Sequence, residues 1–209
     1  MATELQPVRF SHLKVMGRSA LHYEHNVEEG RPDSAPMRVG RLVHWHVLGA
    51  MPDDEDGKIV VYDGERRGKA WQDFAAAHPG CDIVTEKEFA AAEPIAKAVL
   101  ADETAAPFLR GEREKRIMWK RGGRACRSTL DVLGRASFGP FITDLKTTTD
   151  ANPASFQRLA LRMNYHAQLA FYQDAARYAG VDVEDAYIVA VETVAPYAVT
   201  TFRLTPQLL

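Results

Sequence analysis

The chain has 209 residues, of which 46% are hydrophobic and 26% charged, with a formal charge of −2. That balance fits a single globular domain with a real core and excludes a disordered chain, and no apolar run approaches the roughly 20 residues that cross a bilayer. Two cysteines, Cys81 and Cys126, are too few for a disulfide framework, a four-cysteine zinc site or an iron–sulfur cluster, so both are expected to be reduced and buried.

From the first residue to Phe10 there is neither the basic start nor the apolar stretch of a signal peptide, which predicts a cytoplasmic protein. Ser11 is placed to cap a first helix whose apolar positions Leu13, Met16, Ala20 and Tyr23 fall at helical spacing. A breaker-rich stretch over 28–36 links it to a second helix over 37–50, which carries Gly40, His44 and His46. The acidic run from Asp53 to Asp56 precedes a short strand over 58–62, a turn at Asp63 and Gly64, and a helix over 69–77. Thr85 and Glu88 have the spacing of a capping box, and a helical pair should follow as far as Leu109.

Eight basic residues against Glu112 and Glu114 lie between Arg110 and Arg127, so charge is segregated along a chain that is nearly neutral overall. After Gly122 and Gly123 two strands, 125–133 and 141–147, read as a hairpin. Asn152 and Pro153 open a helix of about 27 residues that Gly180 ends. Strands over 186–192 and 197–204 close the chain. Helices first, then a mixed sheet crossed by a helix, give an α/β or α+β single domain.

Within this order, Asp144 and Lys146 share one strand face while Leu145 turns into the core, and Asp131 on the preceding strand comes beside Asp144 across the hairpin. Adjacent carboxylates repel unless a cation sits between them, and hard oxygen ligands suit magnesium. The combination points to metal-assisted phosphoester hydrolysis, with Lys146 orienting or deprotonating the attacking water. Alone, an Asp-x-Lys triplet is what any strand-end salt bridge gives. Glu114 is a candidate third carboxylate, with Glu112 its competitor and an ordinary pairing to Arg113 or Arg116 the alternative. Tyr165, Gln168 and Tyr172 form one helical stripe, and His44 stands one turn after Gly40, whose missing side chain leaves room for a ligand.

Taken together, the segments 40–44, 63–71, 127–131, 144–148 and 165–172, with Glu114 five residues before Trp119, resemble the PD-(D/E)xK nuclease superfamily, and within it the RecE-like (exonuclease VIII-like) phage and prophage exonucleases. Leu130 stands where the superfamily motif has Pro. The resemblance implies a restriction-endonuclease-like core, a mixed sheet flanked by helices, in one domain over 1–209 with an N-terminal helical part to about 57 and a nuclease core from about 58. It implies that Asp131, Asp144 and the Leu145 carbonyl hold Mg2+, for which Mn2+ can substitute, with Glu114 and His44 completing the shell and Lys146 catalytic. Gln168 and Tyr172 would support the site and contact DNA, Tyr165 would stand with them, and Thr147 would position the phosphate. It further implies a ring-shaped homo-oligomer that degrades one strand of linear double-stranded DNA from its 5′ end in phage-type recombination, with a single-strand annealing protein as partner. In such a ring Lys120 and Arg121 would line the DNA channel, and Arg66 and Arg67 would meet the DNA end.

Overall fold

A computed structural model describes residues 6–29, 33–49 and 59–205 of the chain. The acidic run 53–56 and the start of the strand expected at 58 lie outside them. The N-terminal half gives α1 (Phe10–Met16), α2 (Ala20–Glu29), α3 (Ala35–Leu48), β1 (Ile59–Tyr62), α4 (Gly68–Ala77), β2 (Asp82–Thr85) and α5 (Glu86–Ala101). A 3₁₀ turn at Ala106–Leu109 leads to β3 (Glu112–Arg121), β4 (Arg124–Ala136), β5 (Gly139–Thr148), α6 (Pro153–Arg162), α7 (Tyr165–Tyr178), β6 (Asp185–Glu192) and β7 (Val199–Leu204).

Five strands form one mixed sheet in the order β3-β4-β5-β6-β7, with β5 and β6 parallel and the other neighbours antiparallel. The parallel pair needs a crossover, and α6 with α7 supplies it. β6 is buried on both faces, which is why it reads as an unbroken apolar run from Ala186 to Val191. Ile188 and Ala190 pack with Leu130, Ile142, Phe156 and Leu169 under α6 and α7. Val189 and Val191 pack with Val132, Leu145, Leu42, Val43 and Ile95 under α3 and α5. The result is a three-layer α/β domain, as the order of elements implied. β1 and β2 pair in parallel as a separate two-stranded sheet.

Local chemistry accounts for several departures from the expected elements. Ser11 lies inside α1, which Arg9 precedes as the cap residue. The chain breaks at Gly17 and Arg18, and Ser19 starts α2 by accepting the His22 N–H at 3.2 Å. The helix expected over 37–50 begins two residues earlier because Pro36 fits a first turn. The Thr85–Glu88 capping box forms with both bonds present, at 3.2 and 2.9 Å, but one helix and a 3₁₀ turn follow it in place of a helical pair. The long helix from Asn152 is two helices. Asn152 accepts the Ala154 N–H at 3.1 Å and caps the first, and Asn164 (φ 58°) breaks the run in the left-handed conformation that Asn tolerates. Cys126 is buried and Cys81 half-buried, both free.

Candidate active site

The site grows out of a place where β4 and β5 stop pairing. Their ladder runs from Ala136↔Gly139 to Val132↔Thr143 and ends there, so the next opposed residues, Asp131 and Asp144, face each other across strands that separate. The Leu145 N–H, deprived of a main-chain partner on that side, donates to Asp131 Oδ2 at 2.7 Å. A buried amide left without a partner would cost about 1–3 kcal/mol, so this carboxylate holds up the strand as well as facing the cleft. Leu145 is fully buried under α3, while Lys146 turns the other way and pairs with Asp144 Oδ2.

β3 contributes Glu114. The β3–β4 register skips one pair, Glu114 opposite Asp131, and Glu114 adopts φ 49°, a left-handed backbone that costs a non-glycine residue about 1–2 kcal/mol. Glu112, the competitor, is exposed and pairs with Lys115 at 2.5 Å. The choice between the two is thus made by the distortion of β3, which a sequence pattern does not carry.

α3 brings His44. Its Nε2 is 2.8 Å from the Leu145 carbonyl oxygen, which can only accept, so Nε2 carries the hydrogen. The other ring nitrogen, Nδ1, then faces Asp131 Oδ2 at 3.6 Å. This is how a metal-ligating histidine is usually oriented, one nitrogen on a carbonyl and the other on the ion. The Leu145 carbonyl, expected as a ligand, also accepts from His44. Gly40 leaves room, but for a side chain of this same chain: a Cβ there would meet Thr147 Oγ1 at 3.2 Å. Thr147, expected to position the phosphate, faces α3 beside Gly40. His46 packs against the rings of Trp45 and Phe89.

One donor atom each from His44, Glu114 and Asp131 lie within 4.8 Å of one another. Asp144 stands beside this cluster and is 1% exposed, and its Oδ1 has no hydrogen-bond partner. Burial, then the charges of Asp131 and Asp144, push the Glu114 carboxyl up to about 8. Burial likewise pushes Asp144 up to about 6, against the pull of Lys146 and with the push of Asp131. Lys146 loses some of its charge preference to burial, but Asp144 and Asp131 outweigh that and hold the ammonium charged beyond its ordinary range. Burial is the first cause of both upward carboxyl shifts, and the neighbouring carboxylates add to it. A divalent cation would balance these carboxylates, and the donor set of two carboxylates and an imidazole fits one.

α7 covers Lys146 with the expected stripe. Tyr165 places its ring 5.0 Å from Nζ, and Gln168 donates to the Tyr172 hydroxyl at 2.8 Å. Burial, followed by the nearby Asp144 and Asp131, pushes the Tyr172 hydroxyl up, so it stays protonated and able to donate. The break at Asn164 sets Tyr165 at the start of α7.

Four other expected residues stand apart from this centre. Arg66 binds Glu88 at 2.9 Å and the Ile83 carbonyl, and lies 5.0 Å over Trp71, so it fastens the small sheet. Arg67 is exposed and pairs with Glu65 at 2.6 Å. Lys120 and Arg121 sit at the far end of β3, roughly 20 Å along the strand from Glu114. Arg121 pairs there with Asp174 at 3.0 Å. Two cations that no motif singled out, Arg9 and Lys14 of the first helical segment, line a groove with Tyr165, Gln168 and Tyr172.

Residues 10–209 match the model of a family described as a PDDEXK-like domain of unknown function (DUF3799). Among solved structures, that of a candidate exonuclease from Eubacterium rectale aligns with a TM-score of 0.67 over 97% of this chain and 74% of that chain, at 17% identity, a likeness of fold. The structure of SSO0001 aligns at a TM-score of 0.42 and 12% identity, covering 98% of this chain and 70% of that one. No curated protein matches.

Proposed function

The chain belongs to the DUF3799 family of PDDEXK-like domains, and from that premise we propose that it is a divalent-metal-dependent deoxyribonuclease, an exonuclease that consumes linear duplex DNA in the 5′-to-3′ direction. One observation carries the reading: His44, Glu114 and Asp131 bring one donor atom each within 4.8 Å of one another, beside the Asp144–Lys146 pair and where the β4–β5 ladder ends. A structural salt bridge needs one carboxylate per ammonium, and the further carboxylates with the imidazole are a donor set that a divalent cation would use.

His44 through Nδ1, Glu114 and Asp131 would hold magnesium or manganese, with Asp144 alongside. Such an ion, when bound, supplies the charge that polarises a phosphodiester and acidifies a water. The chain's own part is positioning. Asp144 and Asp131 hold the Lys146 ammonium charged. In that state it would steer the attacking water or a phosphate oxygen through Nζ–H and offset the charge that develops in the transition state. Asp144 fixes Nζ from below and the Tyr165 ring bounds it above.

The direction of attack, the preference for DNA ends, the ring assembly, the recombination role and an annealing partner rest on the resemblance of the motifs. The deciding experiment is a time course on linear duplex labelled at the 5′ or the 3′ end, with closed circular DNA and a chelator as controls. Loss of linear DNA with 5′ label released first, circles spared and chelator inhibition is expected. Cut circles would replace the exonuclease by an endonuclease, and no hydrolysis with either metal would leave a DNA-binding domain.

A further inference from the structure

β4 loses β5 as a partner beyond Val132, and the N-terminal segment takes up part of the vacant edge. The Val8 N–H donates to the Ala125 carbonyl and the Arg127 N–H to the Val8 carbonyl, both at 2.9 Å. This anchors α1 next to the open strand. Between α1, the free edge of β4 and the start of α7 lies a groove of about 250 Å³. Arg9 and Lys14 reach it from α1, Arg127 from β4, and Tyr165, Gln168 and Tyr172 from α7.

Three features of this groove point the same way. Among the described residues that line it, three side chains are cationic and none is a carboxylate. Its α7 wall is the very stripe that covers Lys146, so groove and cleft share Tyr165. Arg127, Thr129 and Asp131 also fall on alternate positions of one strand. They make a row with a step of about 7 Å that leads from the groove to the carboxylate cluster. A volume of this order admits a sugar–phosphate unit and is far too small for a duplex.

We propose that this groove is a backbone-phosphate subsite for a single nucleic-acid strand, which Arg9, Lys14 and Arg127 grip next to the phosphodiester held at Lys146. The assignment rests on the nuclease reading for the identity of the ligand, but its chemistry, an extended polyanion with aromatic walls, follows from the lining. Strand bases can stack on such walls whatever their sequence. The subsite therefore implies that the strand to be cut leaves the duplex before it reaches the cleft.

The test is binding of a fluorescent single-stranded oligothymidylate to the full chain in chelator, followed by anisotropy over a salt series. Arg127→Gln, and Arg9→Gln with Lys14→Gln, should each weaken binding, and the slope of log affinity against log salt should fall by about 0.7 for every phosphate that the variant no longer neutralises. Arg127→Lys should restore the slope, which separates a missing charge from a disturbed fold. Unchanged slopes in folded Gln variants of a chain that cuts DNA would overturn the subsite and leave the nuclease reading standing. Reduced slopes in a chain that cuts nothing would do the reverse.

Discussion

The two ends of the β4–β5 pair are built from one hairpin and behave as opposites. At the closed end five residue pairs run without interruption from Val132 to Ala136, and Phe108, Phe138, Phe141 and Tyr187 cluster there through ring contacts 4.1–6.3 Å apart. At the open end pairing stops and a carboxylate takes the place of a main-chain acceptor. The left-handed Glu114 and the carboxyl groups shifted upward both lie at that open end. Stability comes from one end, and the other spends part of it on holding charge where charge repels.

Substitutions at the two ends should therefore separate stability from activity. Phe141, 1% exposed, sits under the closed end, and Phe141→Ala should lower stability by about 3–5 kcal/mol in a denaturant melt, with activity per folded molecule retained. Loss of activity at permissive temperature without loss of stability would erase the division. At the open end the order reverses. Lys146→Ala should reduce the hydrolysis rate by about 10²–10³-fold while DNA binding persists, since it removes a donor to the transition state. Asp131→Asn should act similarly on rate and leave the melting point nearly unmoved, because an amide oxygen still accepts from Leu145. Asp131→Ala, which loses that bond too, should cost a further 1–3 kcal/mol or so.

Protonation gives a gentler probe of the open end. Glu114 and Asp144 have folded values raised above their ordinary ones, to about 8 and about 6. A raised carboxyl favours the folded state while protonated, so what these two groups contribute to the metal-free protein should be largest at low pH. It should fall as the pH rises from the ordinary carboxyl range, levelling at about 6 for Asp144 and about 8 for Glu114. Divalent metal should reverse the trend, adding about 2.7 kcal/mol at a hundred times its dissociation constant and more at higher pH, where the ligands need not shed protons. Glu114→Gln should flatten the metal-free profile above pH 6 and abolish most of the metal's effect. Melting curves at pH 6 and 8.5, with and without manganese, read both, and a profile that rises with pH in chelator would contradict the crowding.

How much of this was legible in the sequence follows the same divide. The closed end is local: alternating apolar residues around a short turn give the hairpin, its register and the face Leu145 buries, and the opposition of Asp131 to Asp144 follows from that register. The α7 stripe was legible for the same reason, since helical spacing alone places Tyr165, Gln168 and Tyr172 together. What spacing could not show is geometry that breaks the period. The turn at Asn164 was hidden by two helical patterns in phase. The skipped pair at Glu114 left it level with Glu112, and the parting of the strands, which turns Asp131 into a main-chain acceptor, has no residue type that announces it. Arg66 illustrates the converse. It lies in the motif-like segment 63–71 and looks like a cation for DNA, yet Glu88 and the Ile83 carbonyl hold it in the small sheet.

The smallest expected effect tests how the open end is kept at its working width. Gly40 is helical, and replacing it with Ala should gain about 0.5–1 kcal/mol of helix propensity. The added methyl, however, would meet Thr147 Oγ1 at 3.2 Å, tighter than ordinary contact. If Thr147 rotates, stability rises and nothing else changes. If it does not, α3 lifts from β5 and the 2.8 Å bond between His44 and the Leu145 carbonyl opens, which loosens the orientation of the ring. We expect the second outcome, in which Gly40→Ala is nearly neutral in stability yet weakens metal binding. Thr147→Ala in the same chain removes the obstacle and should restore the affinity. Metal titration by calorimetry on the single and double variants decides between them: equal affinity in Gly40→Ala and wild type would show that the spacing of α3 and β5 does not govern His44.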